Sequence, residues 1–137
     1  MTPEEVVEAY LDISLNMTDL SEKEMLLELT TGALHTAIVQ ASDDTLKKAF
    51  IDKNYELVSY SVVERRDRTP RETEITFELV YLNLGDSREL TPEKAPKIST
   101  ENTVSVIKDK KKWYIRDVVG KKTEIDFPLQ NAEVVTK

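Results

Sequence analysis

Trp113, Ile115 and Asp117 alternate at a period of two, which on a β-strand turns all three side chains to one face. An aspartate that follows a buried tryptophan into an apolar cavity has its pKa raised toward the range where it can move a proton or orient a ligand. The same aspartate at a strand end beside Arg116 is an ordinary solvated ion. His35 is the single histidine, the side-chain type suited to proton transfer near neutrality. It lines up with Glu28, Thr31 and Gly32 and has no serine or aspartate at a diagnostic spacing, so it reads as a partly exposed helix residue. Tyr10, Tyr60, Phe77, Tyr81 and Trp113 have phases that suit the wall of a small apolar pocket or plain core. With no cysteine and one histidine, thiolate chemistry and Cys- or His-rich metal sites are excluded, and neither a metal nor a cofactor is expected.

The elements that must position these groups divide the chain in two. Thr2, Pro3 and Glu5 have the spacing of a capping box with a first-turn proline. Behind them Val6, Tyr10, Ile13 and Met17 recur at helical spacing, with Glu4, Glu8 and Asp12 on the other side, predicting a helix over residues 4–16. A second helix over 22–41 follows the Ser21 and Glu24 pair, weakened in the middle by Thr30, Thr31 and Gly32; a third over 44–53 follows Ser42. After Tyr55 the period becomes two, and four antiparallel strands are expected within 55–119, the last two joined as a hairpin across Lys108 to Lys112. Residues 85–97 read as a long loop and 121–137 as a fifth strand, near 123–127, or a flexible tail. The fold class is α+β, one domain over 1–120, with Tyr10, Leu34, Ile38, Phe50, Phe77, Leu79, Trp113 and Ile115 in one core.

Charge is distributed unevenly. Of 137 residues, 39% are hydrophobic and 33% charged, as in an ordinary globular domain, and no apolar run approaches the length of a membrane span. The net charge of −7 argues against a nucleic-acid partner. Residues 1–60 carry 12 acids and 4 bases, whereas the strand half is close to neutral. Its bases gather at two turns, Arg65, Arg66, Arg68 and Arg71 at one and Lys108, Lys110, Lys111 and Lys112 at the other. In an up-and-down meander these turns share an end, and against Glu64, Asp67, Glu72 and Asp109 they leave a basic rim suited to an anionic ligand, an acidic partner, a membrane surface or the acidic helices of a second copy, or else a pair of solvated, aggregation-resistant hairpin tips.

The capped first helix with Val6-Val7 and Tyr10-Leu11, two more helices, and strands that end in the string from Lys112 to Val118 resemble the cone-shaped superfamily of nuclear transport factor two and ketosteroid isomerase, of the cystatin-like class. The pattern is most similar to small bacterial domains of unknown function, often carried on lipoproteins. The resemblance implies three helices packed on a curved four-stranded sheet, and it makes Tyr10 a partner for Asp117 in any acid–base site. Members of the superfamily include enzymes and noncatalytic binders, so the fold does not supply the function. The expected function is a noncatalytic ligand-binding or protein-interaction module, the soluble part of an extracytoplasmic, envelope-anchored lipoprotein, whose partner is a small apolar ligand or a protein. The alternatives are an isomerase- or dehydratase-like enzyme using Asp117 and Tyr10, and an acidic, immunity-like inhibitor that covers a basic site with its helices.

Overall fold

Thr2 closes the capping box that its spacing predicts. Its backbone N–H donates to Glu5 Oε1 at 2.8 Å, and its hydroxyl accepts from the Glu5 N–H at 3.1 Å. From this cap helix α1 runs over Pro3–Leu15 and buries Val6 and Val7. The computed structural model describes residues 1–52, 54–85 and 88–126. Beyond α1, Asp19 caps a 3₁₀ turn, Leu20–Glu22, which leads directly into the short helix α2, Lys23–Leu27.

The single helix expected over 22–41 is broken. Thr31 donates its N–H to the Ile115 carbonyl at 2.9 Å, and Ile115 donates to the Leu29 carbonyl at 2.9 Å, so Leu29 to Thr31 lie alongside the last strand as one parallel bridge. Two β-branched threonines favour this extended path, and Gly32, at φ +57°, makes the turn back into helix α3, Gly32–Gln40. The third predicted helix begins at its Ser42 cap but is α-helical only as α4, Asp43–Leu46, before widening into a π turn, Lys47–Ile51.

Four strands follow: β1 Tyr55–Thr69, β2 Glu72–Asn83, β3 Lys97–Asp109 and β4 Lys112–Asp126. They form one antiparallel sheet in the order β1-β2-β3-β4, and with the helices they make an α+β fold. Residues 123–126 continue β4 along β3, as in the Thr100 and Thr123 pair, and do not form a fifth strand; residues 127–137 lie outside the described residues. The β2–β3 connection is tied down by Leu84 N–H to the Asn54 carbonyl, 2.8 Å, and Asn83 N–H to the Pro96 carbonyl, 3.0 Å.

The expected single core is two. Val6, Val7, Ile75, Phe77, Leu79, Val104, Val106 and Ile115 pack α1 onto the sheet, while Met17, Leu26, Ile38 and Leu46 pack the helices on one another. Tyr10 and Leu34 touch both, Phe50 joins only the helical cluster, and Trp113 is half-buried at the margin of the sheet cluster. The opposite face of the sheet is polar, with Glu72, Glu74, Thr76 and Glu78 alternating against the buried residues of β2.

Candidate functional site

Helix α1 does not seal the edge of the sheet. Val6 and Val7 are buried in the core, but Glu5, Glu8 and Asp12 turn toward β1, and a groove of about 590 Å³ lies between the two elements. Its apolar lining comes from Leu11 and Leu15 on the helix and from Leu57, Tyr60 and Leu79 on the strands. Volumes of roughly 300 to 1,000 Å³ accommodate small ligands or a few anchoring side chains. At the start of the helix Arg65 Nη1 donates to Glu4 at 2.9 and 3.2 Å while its Nε holds Asp67 at 2.9 Å, fixing the spacing of α1 and β1. Glu8 and Asp12, expected on the solvent side of α1, therefore stand with the capping acid Glu5 on one wall of this groove.

Tyr60 is its distinctive residue. The ring packs on Phe77 at 5.9 Å between centroids, and the hydroxyl is buried with no hydrogen-bond partner among the described residues. Burial pushes the phenol pKa up, and the nearby carboxylates of Glu8 and Glu4 push it further. A buried hydroxyl without a partner costs about 1–3 kcal/mol of folding stability.

The remaining candidates are dispersed. Tyr10 and Phe77 border a separate apolar hollow of about 160 Å³ beneath Leu34, where burial pushes the Tyr10 phenol up to about 12. Tyr81 stacks at 4.5 Å on Tyr55 beside Phe50 and Thr100, at a second hollow of about 160 Å³. Trp113 lines a third space, about 600 Å³, with Leu27 and Leu29, and the Lys108 ammonium sits 5.7 Å from its ring centre. His35 is half-buried and its Nδ1 lies 3.2 Å from both the hydroxyl and the carbonyl of Thr30, so it serves the helix break.

Asp117 does not share the phase of Trp113 and Ile115. Val106 pairs with Ile115 and Ser105 with Asp117, so Arg116 is an extra, bulged residue that reverses the alternation. The carboxylate is exposed and accepts from the Val118 N–H at 2.8 Å, on the polar face away from Tyr10. Arg116 reaches Glu72 at 2.8 Å and the Ser105 hydroxyl at 2.9 Å on that same face.

The two basic turns do meet at one end, where the Lys108 N–H donates to the Arg71 carbonyl at 2.8 Å. Much of the rim's charge is compensated there: Arg65 by Glu4 and Asp67, Arg66 by Glu64, and Arg68 by Glu74, two of these acids coming from outside the turns. Among the described residues no set of three or more His, Asp or Glu side chains is placed to hold a metal ion, and no helix is long and apolar enough to cross a membrane.

No protein-family model matches the chain, and no curated protein matches it significantly. Among solved structures, it is similar to the intermembrane space region of the chloroplast protein ARC6, at 18% identity and a TM-score of 0.55, over 93% of this chain and 98% of that one. At that identity the likeness is one of fold alone.

Proposed function

We propose that the chain is a noncatalytic binding module whose α1–β1 groove takes an apolar ligand segment bearing a positive charge. The observation that carries this reading is the groove itself, whose apolar floor of Leu57, Tyr60 and Leu79 faces a wall of carboxylates on α1. Glu5, Glu8 and Asp12 on the wall set the sign of the charge that fits. The exposure of Asp117 on the polar face, away from the hollow that Tyr10 borders, supports this reading over the isomerase alternative. As part of the same proposal we assign the chain to the noncatalytic members of the cone-shaped superfamily, a reading supported by the order of helices before an antiparallel meander.

The test uses two probes of opposite charge and equal chain length, dodecylammonium and dodecyl sulfate, each below its micelle-forming concentration. Added to the isotope-labelled protein, the cation is expected to shift the amides of Leu15, Leu57, Tyr60 and Leu79 saturably, with Glu8→Lys reversing the preference. Saturable shifts centred on the Trp113 hollow, equal response to both probes, or no saturation would overturn the reading.

A further inference from the structure

The two edges of the sheet are treated differently. On β4 the segment Leu29 to Thr31 covers the backbone around Ile115 with two hydrogen bonds. On β1, at the other end of the strand order, no backbone bond beyond the sheet reaches Glu56 to Thr69 among the described residues. Natural edges are blunted by charge and by bulges; residues 65–68 carry the first and Val58 and Val63 are the second, but between the bulges Ser59 to Val62 is regular, and the run from Leu57 to Val63 contains no charge at all. Four of its side chains are large, apolar and exposed: Leu57 at 48%, Val58 at 51%, Val62 at 39% and Val63 at 55%. An uncovered, uncharged strand edge of this kind is a template for another strand.

We infer that two copies of this chain join through antiparallel pairing of their β1 edges, extending the sheet from four strands to eight. The strand's own pattern selects a second copy as the occupant. Although the whole chain carries −7, β1 itself holds three acids and three arginines, so copies meeting along it face no net repulsion.

The bulges narrow the register to two choices, and the charges decide between them. Val58 and Val63 are the extra residues against β2, leaving Ser59 to Val62 as the regular stretch. Only Tyr60 or Ser61 can sit on the two-fold axis with regular neighbours on both sides. An axis at Tyr60 sets Glu56 against Glu64 of the second copy, a repulsion repeated twice by symmetry. An axis at Ser61 sets Val58 opposite Glu64 and Val63 opposite Ser59 of the second copy, so the two bulges fall one residue apart. The strands stay in step beyond both, and Glu56 lies opposite Arg66, again twice. Glu56 and Arg66 occupy the same polar face, as their pairings with Leu82 and Glu74 show, and both are exposed. The existing Arg66 contact to Glu64, 3.3 Å long and exposed, is a weak competitor.

The absence of cysteine makes the register directly readable. The 137-residue chain carrying Ser61→Cys is expected to form a disulfide-linked dimer under mild oxidation, because residues on the axis lie within the Cα separation a disulfide spans. Ser59→Cys and Val119→Cys are expected to remain largely unlinked. In sedimentation without cross-linking, Glu56→Arg or Arg66→Glu alone should weaken the dimer about tenfold, and the two together should restore it. A monomer up to millimolar concentration overturns the inference. So does a dimer indifferent to the charge reversals, or cross-linking as efficient at Ser59 or Val119 as at Ser61. Unfolding curves of each variant exclude misfolding as the cause of a lost dimer.

Discussion

Tyr60→Phe removes one oxygen and nothing else from the floor of the groove. In the folded chain that oxygen is buried without a partner, whereas in the unfolded chain it is hydrated, so the hydroxyl opposes folding. The phenylalanine ring retains the contact with Phe77, now at 5.9 Å, and leaves no cavity beyond the volume of the hydroxyl. Deleting an unsatisfied hydroxyl is therefore expected to stabilise the protein by about 1 kcal/mol, the lower end of the desolvation penalty. Unfolding entropy near 2.1 cal/mol/K per residue, over 137 residues, converts this into a rise in Tm of about 3 to 4 °C. Urea titration followed by circular dichroism, with calorimetry as an independent measure, reads both quantities. A loss of more than about 0.5 kcal/mol would mean that the hydroxyl gains a hydrogen bond on folding, and would refute the argument.

The β3–β4 turn places Lys110 and Lys111 at φ 50° and 71°, a pairing that suits asparagine and glycine. Replacing them with Lys110→Asn and Lys111→Gly should raise stability by about 1 kcal/mol in the same urea titration. Gly32→Ala is expected to cost about 2 kcal/mol, since φ is +57° and the new Cβ would come within 2.8 Å of Arg116 Cγ; a neutral outcome would show that the helix break does not need glycine. Acid should destabilise the fold through Asp67, Glu5 and Asp19. Their carboxyls are held below the ordinary range by hydrogen bonds, Asp67 from Thr73 and then Arg65, Glu5 from Thr2 and Asp19 from Ser21. Because these folded-state values are lowered, the stabilisation is complete above about pH 5 and is lost as pH falls through them. Asp67→Asn should therefore flatten part of the acid limb of a stability-against-pH profile, and an unchanged limb would contradict the assignment.

The local chemistry of this chain is readable residue by residue, because a cap or a strand period is decided by near neighbours. Thr2 and Glu5 announce α1, and the alternation of Ile75, Phe77 and Leu79 announces the inner face of β2; both stand as read. The break at Thr30 to Gly32 shows only as weak helix-formers in the sequence, since what completes it is a pairing with Ile115, more than eighty positions away. Asp117 depends on parity: one extra residue at Arg116 reverses the faces of Asp117 and Val118 before a second extra residue, Val119, restores the alternation, and a bulge leaves no composition signal in a single sequence. The groove was hidden for a related reason. Glu5, Glu8 and Asp12 sit on α1 as an ordinary solvated face would, and only the position of β1 relative to the helix makes them a wall. Tyr60 belongs to that wall's opposite side because the bulge at Val58 sets its phase against Leu79. The same device thus takes Asp117 out of one candidate site and puts Tyr60 into another. For this fold the sites of interest follow from where β1 and β4 depart from a two-residue repeat, more than from which residue types the strands contain.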